Sequence, residues 1–122
     1  MKVIGQFNHG TIIISNFAVD DDKYHIKFDI DIVTPYFKFQ YHFGEVAYHN
    51  LFDLINGKET KICDETAINN HIEITKDYFG ITVDQGGVVS NINVNFDIQK
   101  EQDKLFEFIL EFKAVCEVLF GK

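Results

Sequence analysis

Arginine and tryptophan are absent from this 122-residue chain, proline and methionine occur once each, and cysteine occurs twice. Each shortage excludes something. Without Arg there is no bidentate guanidinium fork to read base edges or clamp phosphates, and all eleven basic residues are Lys, set against nineteen Asp and Glu for a net charge of −8. Nucleic acid is therefore not expected as a direct partner, because binding to it draws on basic side chains that displace counterions. An anionic membrane surface is disfavoured by the same sign. Cys63 and Cys116 lie far apart in a chain large enough to fold without a staple, so both are expected as reduced thiols in the cytoplasm. No apolar run approaches the roughly 20 residues of a membrane span. The N-terminal run breaks at Gln6 and Asn8, short of the about 7 to 15 unbroken apolar residues of a secretory leader. Internal repeats, low-complexity stretches and linker composition are also missing, so residues 1–122 read as one domain.

What is present is core-forming material. Sixteen Ile and thirteen Phe exceed what a disordered chain carries, and a chain of this length buries roughly two thirds of its unfolded surface on folding. Strands are expected at Val3–Phe7 and Ile12–Phe17, followed by a turn at Asp20-Asp21-Asp22. From Tyr24 to Val33 the sequence alternates, with Ile26, Phe28, Ile30 and Ile32 on one face and His25, Lys27, Asp29 and Asp31 on the other. After Thr34-Pro35 a second alternating strand places Phe37, Phe39, Tyr41 and Phe43 inward. Between Glu45 and Asn56 the spacing turns helical, with Asn56-Gly57 as its stop. Three more strands follow, a weak one at Glu59–Cys63 and others at His71–Lys76 and Tyr78–Asp84. The glycine turn Asp84-Gln85-Gly86-Gly87 leads into an alternating strand at Val88–Ile98. From Lys100 to Phe120, Leu105, Phe108, Ile109, Phe112, Val115, Cys116 and Leu119 form one stripe of a helix, with Glu101 and Asp103 suiting its N-terminal dipole. The expected architecture is α+β: an antiparallel sheet of about six or seven strands, a short inserted helix and a long amphipathic C-terminal helix packed on the sheet.

Catalytic patterns are scarce. Cys63 is followed by Asp64 and Glu65, whose charges disfavour a thiolate, and Cys116 falls in the apolar stripe. His49 and Asp53 share a helix face, and His42 precedes them, but H-E-x-x-H and C-x-x-C spacings are missing, so the set reads as an ordinary polar face. Gly86-Gly87 leads into a strand rather than a helix, which leaves no phosphate loop, and no Ser sits in a G-x-S-x-G turn. The row Asn91, Asn93, Asn95 and Asp97 reads as the solvent side of its strand. No enzyme, no metal and no cofactor is expected.

Two features suit a protein partner. On the terminal helix Asp103, Glu107 and Glu111 form an acidic line opposite the core stripe, with Phe106, Leu110 and Val118 beside it when residues are laid out at about 100° each. Asp20, Asp21 and Asp22, with Asp29 and Asp31, make a second acidic group. The alternative for the helix is that Phe106 and Leu110 tuck beneath the N-terminal segment or a second sheet edge.

The stretch from Gly86 to Leu119 combines a glycine turn, a long alternating strand ending in an acidic residue, Glu101-Gln102, Leu105, Phe108 and an amphipathic helix. It resembles the C-terminal half of small cytoplasmic immunity proteins of bacterial polymorphic toxins, of the WapI-like contact-dependent inhibition type. The resemblance covers about a third of the chain and contains no catalytic motif, and no functional residue of that family maps onto a position here. It implies an α+β domain that binds and blocks a cognate toxin, commonly a nuclease. The functional expectation is therefore an immunity protein that neutralises a basic toxin domain by stoichiometric occlusion, with Asp20, Asp21, Asp22, Asp103, Phe106, Glu107, Leu110 and Glu111 at the interface. Two alternatives stand beside it: a small-molecule module whose cavity is lined by Phe37, Phe39, Tyr41 and Phe43, and a dimeric adaptor.

Overall fold

A computed structural model describes residues 1–121. The chain runs β1 (Lys2–Phe7), β2 (Gly10–Val19), β3 (His25–Val33), β4 (Lys38–Ala47), α1 (Tyr48–Ile55), β5 (Lys61–Asp64), β6 (Ala67–Ile74), β7 (Tyr78–Gln85), β8 (Val88–Asn95) and α2 (Ile98–Phe120). The α+β class and the long terminal helix agree with the sequence reading. The sheet does not: among the described residues eight strands form two antiparallel sheets of four, β1-β2-β3-β4 and β5-β6-β7-β8, each in sequence order. The division falls where β4 runs directly into α1, so that β5 starts a new meander and pairs with β6 alone.

Short turns fix each meander. At the β7–β8 turn Gly86 and Gly87 both have positive φ, 61° and 87°, the conformation a two-residue hairpin needs and glycine adopts without steric cost. Asp84 accepts a hydrogen bond from the Gly87 amide at 3.1 Å. The β3–β4 connection is tightened by Thr34, whose hydroxyl accepts from the Tyr36 and Phe37 amides. Phe37 thus belongs to the turn and is exposed, which corrects its expected inward position.

Alternation explains the core. Ile26, Phe28, Ile30 and Ile32 of β3 are all fully buried, and Phe28 stacks on Phe43 of β4 with ring centroids 5.5 Å apart. The α2 stripe is as read: Leu105, Phe108, Phe112 and Cys116 are buried, and Ile109, Val115 and Leu119 are partly so. Phe108 meets Phe7 of the first sheet and Phe79 of the second edge-on, at 6.0 and 6.1 Å. Phe112 meets Phe28 at 6.1 Å. One helix therefore packs against both sheets.

Boundaries shift for local reasons. β8 ends at Asn95 and α2 starts at Ile98, because the Asp97 side chain accepts hydrogen bonds from the Gln99 and Lys100 amides and caps the helix. β4 extends to Ala47, so α1 is shorter than the expected Glu45–Asn56. β6 starts at Ala67, four residues before the expected strand.

Truncating Phe112 to Ala should cost about 3 to 5 kcal/mol in denaturant unfolding with an unchanged slope; a loss under about 1 kcal/mol would remove the helix from its role in the core. Burial pushes the Cys116 thiol up to about 12, with Glu117 adding to it, while Cys63 is free and exposed. A thiol reagent should therefore label one cysteine in the native protein and two after unfolding; two fast-reacting thiols in the native state would contradict the packing.

Candidate functional site

The outer face of α2 is anchored from beneath and open above. Its inner stripe fixes the helix against both sheets, and its N-terminus is tied down by Glu101, only 1% exposed. That carboxylate accepts from the Asp97 amide at 3.0 Å and from the Asn8 amide at 2.8 Å. The expectation that Glu101 merely complements the helix dipole is thus incomplete, since it joins the helix start to the β1–β2 turn. On the opposite side Phe106 is 62% and Leu110 48% exposed, so neither tucks beneath the N-terminal segment. Asp103, Glu107 and Glu111 lie among them, exposed. Among the described residues no ion pair engages these three carboxylates.

Beside this face runs an open groove of about 310 Å³ between β1 and α2, lined by Ile4, Gly5, Gln6, Lys104, Glu107, Phe108 and Glu111. Gly5 permits the close approach: a Cβ there would stand 2.6 Å from the Phe7 ring and 2.7 Å from the Phe108 ring. Ile4, on the exposed side of β1, extends the apolar surface toward the helix.

The Asp20–Asp22 turn lies elsewhere. Tyr24 contacts Tyr48, which contacts Phe120, with ring centroids 6.5 and 4.9 Å apart. The turn therefore neighbours the C-terminal end of α2, roughly 15 to 25 Å along the helix axis from Asp103–Leu110. Nor do its acids form one group with Asp29 and Asp31. Asp20 is 3.8 Å from Lys27, and Asp22 holds His25 at 2.5 Å. Asp29 is bonded by Asn16 and His42 from the flanking strands at 2.7 and 2.5 Å. The Asn16 amide holds the Asp29 carboxyl below its usual range, with His42 adding to it against burial. His42 is accordingly engaged by Asp29.

Besides Asp22, its i, i+3 neighbour, His25 gathers two carboxylates that no spacing in the sequence connects to it. Its Nδ1 faces Asp22 and, at 3.6 Å, Glu45; its Nε2 is 3.0 Å from Glu65. Asp22 raises the imidazole pKa above its ordinary value, burial opposes this, and Glu65 and Glu45 reinforce it.

A further polar centre joins the two sheets. Asp64, at the end of β5, is only 1% exposed, and it accepts from five donors: the Thr66 hydroxyl (2.6 Å), the Thr66 amide (3.0 Å), the Gly44 and Glu45 amides (3.1 and 3.3 Å) and the Tyr41 hydroxyl (3.1 Å). Asn70 donates to the Tyr41 oxygen at 2.7 Å and accepts from the Asp84 amide at 2.7 Å. Burial alone would raise the Asp64 pKa, but the bonds from Thr66, Gly44 and Tyr41 outweigh it and hold the carboxyl below its ordinary value. Sequence reasoning saw Asp64 only as a neighbour of Cys63, because its donors on β4 are 19 to 23 residues away.

The row Phe37, Phe39, Tyr41 and Phe43 does not line one space. Phe37 is exposed, Phe39 and Tyr41 are half-buried, and Phe43 is packed between Phe28 and Tyr41. Among the described residues no helix is long and apolar enough to cross a membrane.

No known family, curated protein or solved structure matches the chain.

Replacing Asp64 with Ala should cost on the order of 2 to 4 kcal/mol, because several buried donors lose their acceptor. The sign with pH follows from the lowered pKa. The contribution is complete above the unfolded value near 3.8 and is lost as pH falls through the folded value. The gap in unfolding free energy between wild type and Asp64→Asn should narrow in acid below about pH 4; a gap constant down to about pH 2 would contradict this role for the carboxylate.

Proposed function

We propose that the protein neutralises a basic protein partner, of the nuclease-toxin class, by stoichiometric binding through the outer face of α2, and that it does so in the cytoplasm. One observation carries the reading: Phe106 and Leu110 are exposed on a firmly anchored helix, among three carboxylates that no cation of the described residues pairs with. Exposed aromatic and aliphatic groups supply the water-excluding centre of an interface, and unpaired charges around them set the sign of the partner. The resemblance of residues 86–119 to polymorphic-toxin immunity proteins supports the same reading. A basic nuclease domain has cationic surface where phosphates bind, and acidic groups seated there would block substrate by occupying its place.

The dimeric alternative is less favoured by this face, because a two-fold contact would bring the same acid-rich patch in from both sides. The small-molecule alternative loses its aromatic lining, since Phe43 fills the core and Tyr41 is bonded to Asp64.

The test is to co-express the product of the adjacent upstream gene, purify the pair and assay its nuclease activity against increasing amounts of this protein. Activity should stop at about one-to-one stoichiometry; an active partner indifferent to an excess of this protein would sink the reading. In the double variant Glu107→Lys/Glu111→Lys, association should slow by about tenfold or more at low salt and lose most of its salt dependence. Its folding stability should change by less than about 0.5 kcal/mol, because both positions are exposed.

A further inference from the structure

Four side chains from separate segments converge at the boundary between the two sheets. Asp22 comes from the β2–β3 turn, His25 from the start of β3, Glu45 from the end of β4 and Glu65 from the β5–β6 turn. The donor atoms of Asp22, His25 and Glu45 all lie within 4.8 Å of one another. Three carboxylates thus face a single imidazole, which offers at most one positive charge. Among the described residues no Lys pairs with any of them: Lys27 reaches Asp20 instead, and Lys23, within the turn itself, makes no ion pair with them.

The geometry is that of a ligand set rather than of a loose group of acids. Asp22 is fixed by its other oxygen, Oδ1, which accepts from the Tyr24 and His25 amides at 2.8 and 3.0 Å and leaves Oδ2 turned to the ring. The imidazole presents Nδ1 to Asp22 and Glu45 while Nε2 faces Glu65 at 3.0 Å, the outer carboxylate that commonly orients a metal-bound histidine. Around an ion with bonds of about 2.0 to 2.2 Å, tetrahedral ligand atoms stand roughly 3.3 to 3.6 Å apart. The separation of His25 Nδ1 from Glu45 is 3.6 Å already. The 2.5 Å contact between Nδ1 and Asp22 has to open by about 1 Å as a metal replaces the hydrogen bond between them.

We infer that Asp22, His25 and Glu45 form a site for a divalent first-row transition ion of the Zn²⁺ class, with Glu65 orienting the imidazole. One nitrogen and two carboxylates suit Zn²⁺ better than Mg²⁺ or Ca²⁺, which take oxygen ligands and, for Mg²⁺, near-octahedral geometry. Bound there, the ion would clamp the β2–β3 turn to β4 and, through Glu65, to the second sheet. The site is independent of the partner reading and neighbours the C-terminal end of α2 rather than Asp103–Leu110.

The experiment is calorimetric titration of chelator-treated full-length protein with ZnCl₂, and separately with MgCl₂, alongside thermal unfolding. The expected result is one equivalent of Zn²⁺ bound, a raised unfolding midpoint, and much weaker Mg²⁺ binding. Binding should be lost in His25→Ala, weakened about 10- to 100-fold in Glu65→Gln, and unchanged in His42→Ala, whose ring lies on the outer face of the first sheet. Should His25→Ala fail to fold, Glu45→Gln, a near-isosteric change at a partly exposed residue, must weaken Zn²⁺ binding by at least about tenfold. Absence of Zn²⁺ binding, equal affinity for Mg²⁺, binding indifferent to Glu45→Gln, or binding lost in His42→Ala would each overturn the site.

Discussion

The union of the two sheets rests on the buried carboxylate of Asp64. Among the described residues no strand ladder crosses between them; at this boundary the chain has the backbone bond from the Glu65 amide to the Glu45 carbonyl and the donors that Asp64 collects from β4 and from its own turn. A carboxylate suits this position because it accepts at about four lone-pair sites and donates at none. An amide there would turn an NH₂ group toward backbone amides that already need an acceptor. Through Tyr41 and Asn70 the same charge is linked to the Asp84 amide of β7, so the polar chain runs from the fourth strand of one sheet into the third strand of the other. The aromatic contacts of α2 supply packing across the same division, but apolar contact is non-directional, and the hydrogen bonds are what select one relative placement.

A protein with nineteen acidic residues and no Arg must satisfy its anions without guanidinium groups. It does so with backbone amides. Asp64, Asp97, Glu101 and Asp22 each accept from main-chain N–H groups at turns or at the helix start, where such donors would otherwise be orphaned. Imidazoles serve Asp22 and Asp29. The lysines stay out of the interior: none of those described is buried. That division of labour explains why the acids of α2 stand apart. Mid-helix amides are already used by the helix itself, so Asp103, Glu107 and Glu111 have no main-chain donor within reach.

Legibility in the sequence tracks one-sided burial. The alternation from Ile26 to Ile32 and the seven-residue stripe of α2 were visible because each lies between an apolar and a polar environment, and periodicity reports that difference directly. The start of β6 was not, because Asn69 and Asn70 carry no apolar signal. Asn70 is nevertheless buried, satisfied by Tyr41 and Asp84 across two sheets. The pattern also ran one element into the next at Phe96–Ile98, where side-chain capping by Asp97 decides the boundary and hydropathy is silent. Of the polar centres, only the i, i+3 spacing of Asp22 and His25 was there to be read. Glu45, Glu65 and the β4 donors of Asp64 are brought together by the split into two sheets, and the expectation of a single sheet had no place for that junction.

The position of α2 constrains what can cover it. Its inner stripe is locked against Phe7, Phe28 and Phe79, and Glu101 ties its first turn to the β1–β2 connection. The outer face is therefore presented without loop ordering, which lowers the entropic cost of association. The three unpaired carboxylates act in the opposite direction. Burying them against an uncharged surface strips their hydration and returns nothing, a penalty that can exceed the gain from covering Phe106 and Leu110. A cationic surface that keeps the carboxylates paired or at a wet rim removes that penalty, and its attraction acts before contact. The same residues that make the face adhesive thus also restrict it. Apolar area supplies the affinity, and the acids decide which surfaces are able to use it.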